Sequence, residues 1–322
     1  MHTSNRRFAR PLFLAIVLTA LALMWSVSYG IPAAQAQGSS RPFSELAARA
    51  NAGDSPAQYK LADFLVHDPH VDSPDFAIAL GWLRSSAANH SAAAEFILGY
   101  LYEHGRGVPV DYGQAMDNYR AAAKQGNAGA ENNLGGMYQY GRGVAPDMSE
   151  ALQWYQAAAA HGSPVGQYNL ATFYYYGHGT AKDPALAVKW FRAAADQKLA
   201  AAEANLALIY YNGVAVPVDY SEAARWAKLA AEQGLPHAAT NYGYLCEHAK
   251  GVPLDYVEAY VWYSRAIAEG DKLAVKLRKE VSHVLTRAQM ERANAILAAD
   301  ASRTPKPSGM AGEGDVSLLQ EP

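Results

Sequence analysis

The sequence has almost no cysteine and none of the common enzyme signatures. Only Cys246 occurs among 322 residues, so internal disulfides are excluded and packing has to supply the stability. There is no nucleophile elbow, no His-Glu-x-x-His zinc motif, no Walker loop and no Ser-x-x-Lys with its partner motifs. We therefore predict that the protein is not an enzyme and needs no cofactor or metal.

The first 36 residues differ in composition from the rest. Three arginines and no acidic residue precede an apolar run from Leu12 to Tyr29, and the small-residue pattern Ala34-Gln35-Ala36 follows it. This layout predicts a secretory signal peptide over residues 1–36, with a mature chain that begins at Gln37 and is periplasmic in a Gram-negative bacterium, or secreted. The alternative is an uncleaved membrane anchor, because the run approaches the ~20 residues that span a bilayer.

Concentrated positive charge is also missing. Removing the predicted signal takes away three of 27 basic residues and none of 30 acidic ones, which leaves 24 basic against 30 acidic residues and a net charge of −6. Phosphate binding requires a concentrated basic surface, and no stretch of this chain supplies one. We therefore exclude nucleic acid as a partner, and no second apolar segment of membrane length follows the first.

A pattern of 36 residues recurs without slipping. Its clearest marker is a Leu-Gly or related pair, at Leu98-Gly99, Leu134-Gly135, Leu170-Ala171, Leu206-Ala207 and Tyr242-Gly243. The same period relates Trp154, Trp190, Trp226 and Trp262, and Trp82 extends the series upstream. Since each unit is too small to bury its apolar stripe alone, neighbouring units must stack on one another.

Each unit is predicted to hold two helices. Helix A ends at a Tyr-x-x-Gly-x-Gly segment, and helix B begins at a capping aspartate and ends at another glycine. The capping aspartates are Asp111, Asp147, Asp183, Asp219 and Asp255, and the closing glycines are Gly126, Gly162, Gly234 and Gly270. This organisation predicts an all-α fold, a right-handed α-solenoid of stacked antiparallel helix pairs, with the four tryptophans in its core.

The motif Leu-Gly-x-x-Tyr-x-x-Gly-x-Gly-Val, followed by Asp, Ala, Trp and Ala-Ala, resembles the Sel1-like repeat family, a relative of the tetratricopeptide repeats. The resemblance covers residues 56–270, after a predicted capping segment at 37–55. Capping helices at 271–300 and a disordered tail at 301–322 are predicted to follow. The resemblance implies an adaptor protein, often exported in bacteria, whose A helices line a concave side.

A few positions depart from the repeat. Asn118 stands where the tryptophan is expected, and Lys198 replaces the glycine that closes a helix B. Ala215 and Ala249 each replace a loop glycine, so local turn geometry is uncertain at these sites.

Histidine and cysteine could also carry chemistry. His67 and His70 form the closest histidine pair after the signal, but loop histidines at the edge of an array are usually solvated, so we predict no metal there. Cys246 lies in the column of Tyr102, Tyr138, Tyr174 and Tyr210, which faces the partner helix, and is predicted to be a buried structural thiol.

A partner is expected to contact helix A away from the recurring core positions. The spacing i, i+4, i+7 selects Phe96, Tyr100, Glu103, Tyr168, Thr172, Tyr175, Leu208, Tyr211, Tyr244 and Glu247. Exposed tyrosines are typical of interfaces, although each of these could also pack between repeats. A second column could hold a peptide backbone through its amides or could serve the repeats themselves, and it comprises Asn133, Asn169, Asn205 and Asn241.

These observations favour a monomeric periplasmic adaptor that binds a protein or peptide on the concave face. Such an adaptor could regulate envelope signalling by restraining a sensor kinase. An alternative is support of envelope polysaccharide or secretion machinery. A hydrolase of cell-wall material or β-lactams is disfavoured, because the repeat proteins credited with β-lactam binding are rich in cysteine and this chain is not.

Overall fold

The computed structural model describes residues 40–302, and this part of the chain consists of helices joined by turns and loops, without a strand. The predicted signal peptide and nearly all of the predicted tail lie outside the described residues, although Ala301 and Ser302 still belong to the last helix. The helices are α1 Ser40–Asn51, α2 Ser55–His67, α3 Pro74–Ala88, α4 Ala92–His104, α5 Tyr112–Ala123, α6 Ala128–Tyr140, α7 Met148–Ala160, α8 Pro164–Tyr176, α9 Pro184–Asp196, α10 Ala200–Asn212, α11 Tyr220–Glu232, α12 Pro236–Glu247, α13 Tyr256–Ala268, α14 Lys272–Ser282 and α15 Arg287–Ser302.

The even-numbered helices from α2 to α12 are the predicted A helices, and the odd-numbered helices from α3 to α13 are the B helices. The chain divides into two compact units, which in the described range are residues 40–182 and 183–302. In the first unit α4 packs on α5 and α6 on α7, and α2 to α8 form a tandem series of helices with α1 against α2 and α3. In the second unit α10 packs on α11 and α12 on α13, while α14 and α15 both pack on α13. This is the predicted tandem arrangement of an α-solenoid.

The capping prediction is confirmed. Each of the five aspartates precedes a B helix, and its side chain accepts hydrogen bonds from backbone N–H groups in the first turn. Helices α4, α6, α8 and α10 end at a glycine in the left-handed conformation, with φ between 67° and 78°. The boundaries of each helix are thus fixed by local chemistry that recurs every 36 residues.

Glycine allows close contact between the A and B helices of the repeats that carry the Leu-Gly pair. A Cβ added at Gly135 would lie 2.6 Å from a ring carbon of Tyr155, and one at Gly99 would lie 2.7 Å from the ring of Tyr119. Both tyrosines are buried. The second residue of the Leu-Gly pair is therefore small because an aromatic ring of helix B lies directly against it.

The tryptophans are buried to different degrees. Trp226 and Trp262 are core residues, each 4% exposed, as predicted. Trp154 and Trp190 are only partly buried, so the core prediction is too strong for these two. Trp154 packs against a cluster of buried residues from α5 and α6, which includes Ala123 and Leu134.

Side-chain hydrogen bonds recur at two fixed separations. The first kind joins residues 16 positions apart, where a tyrosine hydroxyl of helix B donates to a side-chain oxygen of helix A at 2.7 to 2.8 Å. The pairs are Tyr119 with Glu103, Tyr155 with Gln139 and Tyr263 with Glu247. Across 18 residues, a helix B side chain donates to the tyrosine of the next helix A, from Arg120 to Tyr138, from Gln156 to Tyr174 and from Arg192 to Tyr210. The first kind joins the two helices of a repeat and the second joins neighbouring repeats.

The residues that replace glycine in the repeat keep the left-handed backbone conformation of glycine. Lys198, Ala215 and Ala249 have φ values of 63°, 57° and 51°. The turn geometry is therefore conserved, and these residues adopt a left-handed backbone that is unfavourable for side chains with a Cβ.

Replacing Lys198 by glycine is expected to stabilise the protein by about 1 kcal/mol, because glycine removes the steric cost of the left-handed conformation. Lys198 is exposed, and it occupies the position of Gly126, Gly162 and Gly234. Urea unfolding followed by circular dichroism measures the change. The control is Lys124→Gly, at an exposed residue with an ordinary helical φ of −58°, where glycine should be destabilising.

Candidate partner-binding face

The first predicted face, on α4, is mostly structural. Phe96 and Tyr100 are half-buried, and the Phe96 ring lies 5.9 Å from that of Tyr119. Glu103 accepts a hydrogen bond from the Tyr119 hydroxyl at 2.8 Å and pairs with Arg142 at 3.0 Å. These contacts occupy the Glu103 carboxylate within the protein.

The predicted face on α8 is partly wrong. Tyr168 is only 5% exposed and cannot present its ring to a partner. The residues that share its place in the 36-residue register, Asn132, Ala204 and Thr240, are buried as well. Tyr175 is half-buried, and its ring lies 5.0 Å from that of Tyr176 in an edge-on arrangement. Thr172 donates to the backbone carbonyl of Tyr168 at 3.0 Å.

Two of the four residues of the asparagine column are buried between the repeats, and two are half-buried. Asn205 and Asn241 are buried, at 8% and 5% exposure, so the prediction that their amides could hold a partner is wrong for these two. Asn205 donates to the carbonyl of Ala201 at 2.9 Å. Asn133 and Asn169 are half-buried, and Asn169 donates to Asn132 across 2.8 Å.

The predicted residues of α10 and α12 do come together. The Tyr211 and Tyr244 rings lie 6.5 Å apart, and Tyr220, at the start of α11, lies 5.2 Å from Tyr211. The Lys250 ammonium lies 4.9 Å from the centre of the Tyr211 ring and 4.5 Å from that of Tyr220. We call these four residues the tyrosine–lysine cluster.

The cluster combines aromatic area with one stable positive charge. Partial burial opposes the charge on Lys250, but hydrogen bonds to the hydroxyls of Tyr211 and Tyr220 raise the pKa of its ammonium above the usual value. Burial and the neighbouring Tyr211 raise the pKa of Tyr244, so its phenol stays neutral. Tyr220 is 36% exposed and the other three residues are half-buried. The cluster therefore offers a cation, phenolic hydroxyls and ring faces to a ligand.

The other two predicted residues on these helices contribute less. Glu247 accepts a hydrogen bond from the buried Tyr263 at 2.7 Å, in the same way as Glu103 does from Tyr119. Leu208 is half-buried. His248, which the helical spacing does not select, stacks on Tyr244 with 4.0 Å between ring centres and extends the aromatic surface.

Sequence reasoning missed Tyr220 and Lys250 because it considered helix A alone. Tyr220 immediately follows a capping aspartate, and Lys250 lies in the loop between α12 and α13. A signal was present, since Tyr112 and Tyr256 also follow capping aspartates at the same 36-residue period.

A column of buried carboxylates was also missed. Glu95, Glu131 and Glu203 are 5%, 3% and 2% exposed. Each bonds to a residue 30 positions later, with Gln125 donating to Glu95 at 2.8 Å, His161 pairing with Glu131 at 2.8 Å and Gln233 donating to Glu203 at 2.7 Å. Burial raises the pKa of Glu203 to about 7, although the Gln233 hydrogen bond opposes the shift. These pairs tie the end of helix B to the start of helix A within one repeat.

Another buried carboxylate lies near the C-terminal end of the array. Asp271 is 5% exposed and caps α14 by accepting from the N–H of Leu273. It also accepts from the Thr240 hydroxyl at 2.6 Å and pairs with His237 at 3.1 Å. Burial opposes its charge, but these bonds lower the pKa of Asp271 to about 2 and raise that of His237.

The cysteine and the histidine pair carry no sign of chemistry. Cys246 is 2% exposed, and burial raises the pKa of its thiol to about 12, which confirms the buried structural thiol. His67 and His70 are exposed and pair with Asp63 and Asp68. Over residues 40–302, His, Cys, Asp and Glu nowhere gather in a group of three or more that could hold a metal ion. Within the same range, no helix combines the length and the apolar character needed to cross a bilayer.

The repeat assignment agrees with known proteins. The Sel1 repeat model matches six consecutive segments, at residues 55–91, 92–127, 128–163, 164–199, 200–235 and 236–271. The chain therefore belongs to the Sel1 repeat family, whose members are generally non-catalytic scaffolds for protein interactions. No curated protein sequence matches the chain.

Two solved structures support the fold. The chain is similar to c5321, a protective antigen present in uropathogenic Escherichia coli strains that displays the Sel1-like repeat fold, with 30% identity and a TM-score of 0.64 over 72% of this chain. It spans half the length of that protein, at 50%. It is also similar to a Sel1 repeat protein from Oxalobacter formigenes, with 32% identity and a TM-score of 0.58 over 62% of this chain and 82% of the other.

Proposed function

We propose that this protein is an exported, periplasmic Sel1 repeat scaffold that binds a protein or peptide partner at the tyrosine–lysine cluster. The observation that carries the proposal is the convergence of Tyr211, Tyr220, Tyr244 and Lys250 from three helices and a loop. Repeat scaffolds bind through residues that vary between repeats, because the recurring positions are needed for packing. The cluster meets this condition as a combination. Arg142 holds the position of Lys250 in an earlier repeat, but Glu103 and Gly136 stand there in place of Tyr211 and Tyr244.

The chemistry of the cluster suits a protein surface. Tyrosine supplies a large contact area at a small cost in side-chain entropy and keeps a hydroxyl for hydrogen bonding. Lys250 lies against two rings, so less side-chain freedom is lost when it pairs with an acceptor of the partner. Export is supported by the composition of residues 1–36, and regulation of envelope signalling is the role that we favour for the complex.

Site-specific photo-crosslinking in the native host tests the proposal. A benzophenone side chain at position 211 or 244 is expected to give a discrete adduct, recovered from the periplasmic fraction with a mature chain that begins at Gln37. The same group at Lys228, an exposed position on α11, is the control and should give no such adduct. Equal adducts at all three positions, or an adduct found only in the cytoplasm, would contradict the proposal.

The contribution of the cluster is measured with the protein recovered in that adduct. Tyr220→Ala combined with Lys250→Ala should weaken its binding by about tenfold or more, as expected for loss of an interface anchor. The matched control is Tyr112→Ala, because Tyr112 has the same place in another repeat and is similarly exposed, at 39%. A tenfold loss in the control variant as well would show that the effect is not specific to the cluster.

A further inference from the structure

An open pocket lies on the helix B side of repeat 92–127, where other repeats carry a tryptophan. Asn118 occupies the position of Trp82, Trp154, Trp226 and Trp262 in the 36-residue register. The pocket has a volume of about 300 Å³ and is bordered by α3, α4 and α5. The Asn118 amide donates to the backbone carbonyl of Gln114 at 2.8 Å, so this side chain bonds to its own helix.

The apolar wall of the pocket corresponds to part of the cluster on which tryptophan packs in the next repeat. Trp154 packs against the cluster that contains Ala123 and Leu134. The residues 36 positions earlier are Ala87 and Leu98, and both line the pocket, together with Ala121. The repeat thus retains the wall for an indole ring but lacks the ring itself.

The pocket also retains an acceptor for the indole N–H. In two other repeats this group donates to a glutamate one turn earlier, from Trp226 to Glu222 at 3.1 Å and from Trp262 to Glu258 at 2.7 Å. Gln114 holds the same position relative to Asn118 and lines the pocket. Its side-chain carbonyl is an acceptor of the kind that an indole N–H requires.

We propose that this pocket binds a tryptophan side chain of a partner protein. The ring lies against Ala87, Leu98 and Ala121, and its N–H donates to Gln114. Arg84 and Asp117 also line the pocket and are exposed, so they can bond to the peptide groups on either side of the ring. None of the residues of the tyrosine–lysine cluster lines this pocket, and the proposal does not depend on that cluster.

The test uses N-acetyl-L-tryptophanamide, which carries the side chain and two peptide groups. Titration into the full chain labelled at its leucine and alanine methyl groups should shift the Leu98, Ala87 and Ala121 signals saturably, with a dissociation constant in the millimolar range expected for so small a ligand. N-acetyl-L-phenylalaninamide, which has no N–H donor on its ring, should bind several-fold more weakly. Gln114→Leu should abolish that preference.

Filling the pocket provides the decisive variant. Asn118→Trp should weaken binding of the probe by at least about tenfold, because its own ring takes the site. Lys124→Trp, which adds a tryptophan at an exposed position that does not line the pocket, should bind as the wild type does. If Asn118→Trp does not keep the wild-type circular dichroism, Ala121→Leu obstructs the same wall with a smaller change.

Three results would overturn the proposal. The first is the absence of any saturable shift up to the solubility limit of the probe. The second is unchanged binding by a folded pocket-filling variant. The third is equal affinity for free indole and for N-acetyl-L-tryptophanamide, since a site for a protein side chain must also use the peptide groups beside the ring.

Discussion

Replacing Gly135 by alanine is expected to destabilise the protein by about 1 to 3 kcal/mol, the usual cost of overpacking a core. The new Cβ would lie 2.6 Å and 2.7 Å from two carbons of the Tyr155 ring. Tyr155 is 3% exposed, and its hydroxyl donates to Gln139 at 2.8 Å, so the ring cannot move away without losing contacts. The clash has to be relieved by separating α6 from α7.

The neighbouring Gly136 is a matched control in the same helix. A Cβ there would approach only the Tyr155 hydroxyl, at 3.8 Å, which is an ordinary contact. Alanine at 136 is expected to stabilise the protein by up to about 1 kcal/mol, because glycine is a poor helix former. Urea unfolding of the two variants should therefore give changes of opposite sign. A similar effect at both positions would show that glycine is not needed for the contact between α6 and α7.

The second large effect concerns the pH dependence of stability through Glu203. Its pKa is about 7 in the folded protein, against an ordinary value of 4.5. Between these values the folded protein keeps a proton that the unfolded chain has lost, so the free energy of unfolding falls as the pH rises. The contribution is complete below about pH 4.5 and is lost as the pH rises through about 7. At about 1.4 kcal/mol per pKa unit, it amounts to about 3 to 4 kcal/mol.

In the variant Glu203→Gln, the free energy of unfolding should not fall in this way as the pH rises. Its amide oxygen can accept the Gln233 hydrogen bond, and Gln167 already occupies the same position in repeat 164–199. The measurement is the difference in unfolding free energy between wild type and variant from pH 4.5 to 7.5. Contributions from His237 and Asp271, which also titrate, cancel in this difference. Parallel curves for the two proteins would contradict the prediction.

Much of the fold could be predicted because its determinants are local and repeated. The capping aspartates, the closing glycines and the small residue of the Leu-Gly pair each act within one or two helices, so a single period reveals them all. Cys246 was also placed correctly, because its column faces the partner helix, where Tyr210 is buried and Tyr102, Tyr138 and Tyr174 are half-buried. Lys198 also follows the turn pattern, because its neighbours fix the left-handed backbone of the turn and the lysine adopts it at a steric cost.

The partner-binding face was harder to predict because exposure depends on contacts beyond the repeat. The spacing that selects Tyr168 also selects Phe96, yet Tyr168 is buried and Phe96 is half-buried. Lys250 reaches the tyrosines from a loop, where helical spacing gives no guidance. Glu103 and Glu247 face the predicted direction, but buried tyrosines of helix B already occupy their carboxylates. Such pairings follow from side-chain positions that a one-dimensional pattern does not contain.

The hydrogen bonds that span 16 and 18 residues have a consequence for how such proteins change in length. Since each bond connects positions with a fixed offset, duplicating or deleting a block of 36 codons leaves these offsets unchanged. The number of repeats can therefore change during evolution while the packing at each junction between repeats stays the same. Specialisation then requires only a few substitutions in one copy, as at Lys250 and Asn118, while the others preserve the framework.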